Sequence, residues 1–216
     1  MDDEIARKGI KEELTTRDEY LATRFTKLSA SQHDLTPFTP SETREAASHL
    51  SPEKRAVLFG SAAIDGGRGG GGGDADRDCD GGADNDHDET NRGWRDHREK
   101  GLYACAVGGL PLFTSGWKLE SRIGDDCPSF AEPCDEEHLL EEQDAADSGA
   151  ATSVFCARSG VRVGTVIADA GSPSGKRYLV LSEALEFHPL GKALPVRCQP
   201  ENYWGSEGQY RAWILA

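Results

Sequence analysis

Gly101-Leu102-Tyr103-Ala104-Cys105-Ala106-Val107-Gly108-Gly109-Leu110-Pro111-Leu112-Phe113-Thr114-Ser115 is the stretch that decides the fold. Two short apolar, β-prone runs, residues 102–107 and 110–115, flank Gly108-Gly109, and glycine is what a tight reversal of the chain needs. The same texture recurs further along, in runs at 154–158, 161–169 and 176–182. Ser159-Gly160 and Gly171-Ser172-Pro173-Ser174-Gly175 stand between them, where hairpins require turn-formers. Short strands joined in this way predict a mainly β, antiparallel domain.

Upstream the pattern changes period. Ile10, Leu14, Leu21, Phe25 and Leu28 recur at helical spacing. Thr39-Pro40-Ser41-Glu42 is a capping box with proline at the first helical position, and Ser51-Pro52-Glu53 repeats the start signal. The expected organisation is a helical extension over 1–50, a β domain over 51–192, and a tail over 193–216. That tail, with Tyr203, Trp204, Tyr210 and Trp213, is expected to pack or to bind. The extension carries an apolar stripe and must dock on the β domain or on a partner. Residues 65–90, glycine-rich and then aspartate-rich, are expected to be a disordered insertion. No strand precedes the glycines, no Lys-Ser/Thr follows them, and the aspartates repel phosphate, which excludes a phosphate loop.

The chain has 216 residues, 37% of them hydrophobic, and a net charge of −14. Residues 65–89 and 135–147 each contribute −7, and the rest of the chain balances. Such runs read as solvated loops, and without a concentrated basic surface a nucleic-acid partner is not expected. No apolar run is long enough to span a membrane, and Met1-Asp2-Asp3-Glu4 is unlike a targeting signal. The expected address is cytoplasmic, with no membrane partner.

Residues 99–190 resemble the methionine-R-sulfoxide reductase B (MsrB) family, the SelR domain. The resemblance is carried by Lys100-Gly101-Leu102-Tyr103-Ala104-Cys105, Gly109-Leu110-Pro111-Leu112-Phe113, Lys118-Leu119-Glu120-Ser121, Pro128-Ser129-Phe130, Cys156-Ala157-Arg158-Ser159-Gly160 and Gly175-Lys176-Arg177-Tyr178. Its implied fold is an MsrB-like antiparallel β domain with added amino-terminal helices. The family reduces methionine-R-sulfoxide by attack of a thiolate on the sulfoxide sulfur, from the residue after Arg-Tyr. Here that residue is Leu179. Where the family has its two histidines stand Arg162 and Thr165, its asparagine is replaced by Leu181, and its pocket tryptophan by Cys127. The resemblance thus implies a substrate pocket at Phe130, Thr165, Arg177, Leu179 and Leu181 in which only Arg177 keeps its polar role.

The family's structural zinc needs two Cys-x-x-Cys pairs, and here each second partner is missing, Gly108 and Ser159 standing in its place. The remnant ligands Cys105 and Cys156 are left to pair as a disulfide or to pack, and in a reducing compartment packing is expected. No cofactor is expected. Cys127 is the one candidate for a relocated nucleophile, with Cys134 as resolving thiol, although Asp125, Asp126 and Asp135 disfavour a thiolate there. The histidines show no paired metal spacing, and Asp135-Glu136-Glu137 reads as solvated. Two functions follow. One is a non-catalytic, degenerate MsrB-domain protein serving as a binding or structural component with a protein partner. The other is a peptide-methionine (R)-S-oxide reductase working through Cys127.

Overall fold

The computed structural model describes residues 17–22, 26–60, 93–120, 127–143 and 151–201. Its strands are β1 (Gly101–Cys105), β2 (Pro111–Thr114), β3 (Lys118–Leu119), β4 (Ser129–Phe130), β5 (Leu139–Gln143), β6 (Ala151–Cys156), β7 (Arg162–Ala168), β8 (Lys176–Val180) and β9 (Leu185–Pro189). They form two antiparallel sheets, ordered β2-β1-β9 and β3-β4-β8-β7-β6-β5. The expected mainly β architecture is the one observed.

The two Gly-bearing reversals have one geometry. In the β1–β2 turn the Gly109 N–H donates to the Cys105 carbonyl at 2.8 Å, and in the β6–β7 turn the Gly160 N–H donates to the Cys156 carbonyl at 2.8 Å. Both glycines have positive φ, 71° and 67°, a conformation that resists a side chain. We call these turns the two knuckles. Between the sheets, Phe113 stacks on Phe130 at 4.5 Å and Tyr103 meets Phe130 edge-on at 5.1 Å. All three are fully buried, and each contributes about 2 kcal/mol of transfer free energy.

Three helices precede the strands: α1 (Arg17–Ala22), α2 (Pro40–Ala46) and α3 (Pro52–Phe59). The capping box is formed reciprocally: Thr39 Oγ1 accepts from the Glu42 N–H at 3.2 Å, and Glu42 Oε2 accepts from the Thr39 N–H at 2.7 Å. Ser51 caps α3 by accepting from the Lys54 N–H. Tyr20, Leu35, Ala47, Leu50 and Leu58 are buried in the same core as Tyr103 and Val163, so these segments dock on the β domain.

The helical period does not run through Leu28. That residue lies in an isolated bridge with Asp34 that closes a tight turn, with the Ser29 N–H on the His33 carbonyl and the Gln32 N–H on the Ser29 carbonyl. Serine hydroxyls compete for backbone partners, and Gln32 takes a positive φ of 65°, which ends any helix. Ile10, Leu14 and Phe25 lie outside the described residues, as do the 65–90 insertion and Tyr203, Trp204, Tyr210 and Trp213. The described start of the tail does pack: Leu194 and Cys198 are buried with Leu102 and Ala104 of β1. Among the described residues no helix is long and apolar enough to cross a membrane.

Candidate functional site

Strand pairing places the candidate pocket residues. Leu179 of β8 lies between Ser129 of β4 and Thr165 of β7, and Arg177 lies opposite Ile167. Side chains two apart on a strand share a face, so Ser129, Leu179, Thr165, Arg177 and Ile167 form one patch on a single face of the sheet, with Ser129 and Arg177 buried. Leu179, Thr165 and Ile167 are half-buried. Arg177 is its fixed charge, with Nε on Asp169 Oδ2 at 2.7 Å and one terminal nitrogen on Ser129 Oγ at 2.7 Å and the Glu120 carbonyl at 3.2 Å. Thr165 Oγ1 accepts from Arg162 at 3.3 Å.

Phe130 does not join this patch. It follows Ser129, and alternation turns it to the opposite face, where it pairs with Tyr178 and stacks on Phe113 in the core. Leu181 is half-buried and leans on the main core just past the end of β8, its N–H on the Val163 carbonyl.

Cys127 sits two residues before Ser129, beside the patch, and is buried and disulfide-bonded. Cys134 is a free thiol and therefore not its partner. Cys134 packs with Leu190 around the Leu102, Ala104, Leu194 and Cys198 cluster, and burial, then the Asp135 charge, pushes its thiol far up. A thiol so placed is almost wholly protonated and a weak nucleophile.

The two knuckles bring Cys105, Gly108, Cys156 and Ser159 together. Cys105 Sγ accepts from the Gly108 N–H at 3.1 Å and lies 3.6 Å from Ser159 Oγ. A Cβ built on Gly108 would stand 2.7 Å from Cys156 Sγ, so that sulfur fills the space a side chain at 108 would need. Cys105 and Cys156 are both free and fully buried. Cys105 is pushed up, first by donating its hydrogen bond to Cys156 and then by burial. Around them Arg158 ties three segments: Nε donates to the Asp34 carbonyl at 2.7 Å, and a terminal nitrogen to the carbonyls of Gly108 and Arg197 at 3.0 and 3.1 Å. The Phe38 N–H returns a bond to the Arg158 carbonyl at 2.7 Å.

The SelR domain profile matches residues 83–189. The chain is 40% identical over 93 residues to the peptide methionine sulfoxide reductase MsrB of Hahella chejuensis, covering 43% of this chain and 66% of that protein. It is 36% identical over 100 residues to the MsrB of Xylella fastidiosa, covering 46% of this chain and 63% of that one. The match thus spans slightly less than two thirds of these relatives. To the MsrB of Thiobacillus denitrificans it is 37% identical over 100 residues, 46% of this chain and 74% of the relative. The chain belongs to the SelR/MsrB family.

The resemblance aligns Leu179 with the family's reacting residue and the knuckles with its zinc ligands. Two thiols, one hydroxyl and a glycine do not fit a structural zinc, which takes four sulfur or nitrogen donors. Among the described residues no set of three His, Cys, Asp or Glu is placed to hold a metal ion.

Sequence reasoning missed a buried polar cluster 109 residues apart along the chain: Ser29, Ser31 and His33 of the 28–34 turn against Asp135 and His138. Asp135 and Glu137, read as solvated, accept from the backbone N–H groups of Ser31 and Ala30. Only the density of Ser and His in Ser29-Ala30-Ser31-Gln32-His33 hinted at it. It also missed Lys118, whose ammonium donates to the carbonyls of Trp94 and His97 below the Tyr103 ring, and which burial, then the charge of Arg98, lowers to about 8.

Proposed function

We propose that this chain is a degenerate, metal-free SelR-domain protein of the cytosol that works by binding a protein partner and does not reduce sulfoxides. The observation that carries this reading is Leu179, which pairs with Ser129 and Thr165 and which the resemblance aligns with the family's attacking thiolate. An isobutyl group has no lone pair to attack sulfur, and Arg162 and Thr165 stand where the resemblance puts the imidazoles that would carry protons. Groups that act as a unit lose their function together, so retention of Arg177 alone does not keep the chemistry. What remains is a half-buried patch of Leu179, Ile167 and Thr165 around one anchored guanidinium, a surface suited to contact with another protein.

A second reading rests on one observation, the disulfide at Cys127 beside Ser129. In it a reduced Cys127 thiolate attacks the sulfoxide sulfur, and after protonation the sulfur–oxygen bond breaks with loss of water, leaving a sulfonium in which Cys127 sulfur is bonded to methionine sulfur. Water then attacks the Cys127 sulfur, methionine leaves as the thioether, and Cys127 is left as sulfenic acid. A second thiol then displaces water to form the disulfide, and an external dithiol restores both thiols. The experiment that separates the two is turnover of a methionine-R-sulfoxide peptide with dithiothreitol, using the chain, Cys127→Ser and Leu179→Cys. We expect no turnover above background in the first two. Leu179→Cys is expected to stay far below family rates, since Arg162 and Thr165 do not relay protons. Turnover in the chain that vanishes in Cys127→Ser establishes the second reading.

A further inference from the structure

The cluster joining the 28–34 turn to residues 135–138 invites a count of protons. Ser31 Oγ lies 2.6 Å from Asp135 Oδ2, 3.0 Å from His33 Nδ1, 3.1 Å from His138 Nε2 and 2.9 Å from Ser29 Oγ, and Ser29 Oγ lies 3.1 Å from the same His138 Nε2. His138 Nδ1 is 2.6 Å from the Pro111 carbonyl, which only accepts, so the ring proton is on Nδ1 and Nε2 is an acceptor. His33 commits its own N–H to the backbone of Cys198, which leaves Nδ1 as an acceptor too. Asp135 is ionised: burial raises it, but the Ser31 hydroxyl, the nearby His138 and the N–H groups of Glu137 and Ser31 hold it below its usual value. Two hydroxyl protons thus serve two of the three acceptors at a time, Ser31 Oγ donating to Asp135 Oδ2 and Ser29 Oγ to His138 Nε2, while both imidazoles are neutral.

A further proton would make a cation at a ring that is 1% exposed in His33 or 0% in His138. The groups facing the pair come from every packed element. Asp135 and Glu137 favour a cation, but Glu137 is already bridged to Lys27 at 3.2 Å, and Arg158 opposes one at both rings. Burial is the largest influence on both: it lowers His138, and with the charges of His138 and Arg158 it takes His33 to about 3.

We propose that this cluster is an acid-released latch, closed with neutral histidines at neutral pH and opened when His33 and His138 reach water and take up protons. What it holds is the turn at 26–38 and, through the Glu201 N–H on the Gln32 carbonyl at 2.8 Å, the end of the described tail, both laid over the knuckles. The sign follows from linkage. The open histidines titrate near about 6.5, so the closed form is favoured fully above that pH and loses ground as pH falls below it. Between pH 7.5 and 5.0 the open fraction should rise about thirtyfold from His33 alone.

The test is hydrogen exchange of the full chain at pH 7.5 and 5.0, corrected for intrinsic rates. Protection of amides 28–36 is expected to fall about thirtyfold or more at pH 5.0, with β7 and β8 unchanged, and His33→Gln to reduce the dependence. Unchanged protection overturns the latch, as does simultaneous exposure of β7 and β8, which signals global unfolding, or an undiminished dependence in His33→Gln. If that variant fails to fold, ring signals of His33 and His138 in the unmodified chain decide. Both rings neutral at pH 5.0 in the closed form support the latch, and ordinary titration of either overturns it.

Discussion

The knuckles and the Leu179 patch lie in one β domain, yet they are built differently. At the knuckles Cys105, Gly108, Cys156 and Ser159 are surrounded by connections to other segments: the Arg158 guanidinium on three carbonyls, the Phe38 bond, and the Ser29–His138 cluster behind them. At the patch Leu179 is bounded by Ser129 and Thr165, and the buried Arg177 is engaged with the buried Asp169 at the end of the neighbouring strand. The difference teaches that closing two turns is a structural demand which any sufficient set of bonds can meet. A reacting centre needs particular atoms, and hydrogen bonds elsewhere do not supply them.

The sharpest way to break this comparison is Arg158→Ala. It strips the donor from the Asp34, Gly108 and Arg197 carbonyls at once, in a residue 7% exposed. Buried carbonyls left without a partner cost about 1–3 kcal/mol each, partly relieved by entering water, so we expect a loss of about 3 kcal/mol. Urea denaturation should read this as a lower midpoint at unchanged slope. A loss below about 0.5 kcal/mol, the range of ordinary surface changes, would mean that the arginine does not replace what a metal would do.

Gly108→Cys with Ser159→Cys sharpens it from the other side. A Cβ at 108 would meet Cys156 Sγ at 2.7 Å, so Gly108→Cys alone should lose about 1–3 kcal/mol through overpacking. With all four knuckle positions cysteine, one zinc ion per chain should bind and reverse the loss, since binding to the folded state is folding free energy. Thermal denaturation with and without zinc, and metal content after dialysis, measure this. Failure of the double variant to take up zinc would show that the knuckles have drifted from tetrahedral geometry as well as from its ligands.

How much of this was legible along the chain depends on how far apart the partners lie. Gly109 and Gly160 announced their turns, and Thr39-Pro40-Ser41-Glu42 its helix start, because each involves residues only a few positions apart. β3 and β4, two residues each, are too short to show a period, and β5 was hidden by its acids. In Leu139-Leu140-Glu141 the leucines are buried, while Glu141 turns outward and accepts from the Tyr178 hydroxyl at 3.0 Å. In Pro128-Ser129-Phe130 two neighbours point to opposite faces, and only pairing with β8 decides that Ser129, and not Phe130, shares the face of Leu179. The Ser29–His138 cluster depends on two turns meeting across the fold, and no local pattern encodes that.

The smallest effect is expected at the patch itself. Leu179→Thr puts a β-branched, strand-compatible side chain on β8 and removes half-buried apolar surface from a face where the register partners of Leu179 are Ser129 and Thr165. The cost should stay below about 1 kcal/mol, since partial burial of a leucine is a fraction of the full transfer value of about 2 kcal/mol. A near-neutral result at Leu179 beside a large one at Arg158 is what the comparison requires. A loss of about 3 kcal/mol, within the cavity range for fully buried leucines, would instead mean that Leu179 is covered in solution, and the contact surface assigned to it would already be occupied within the chain.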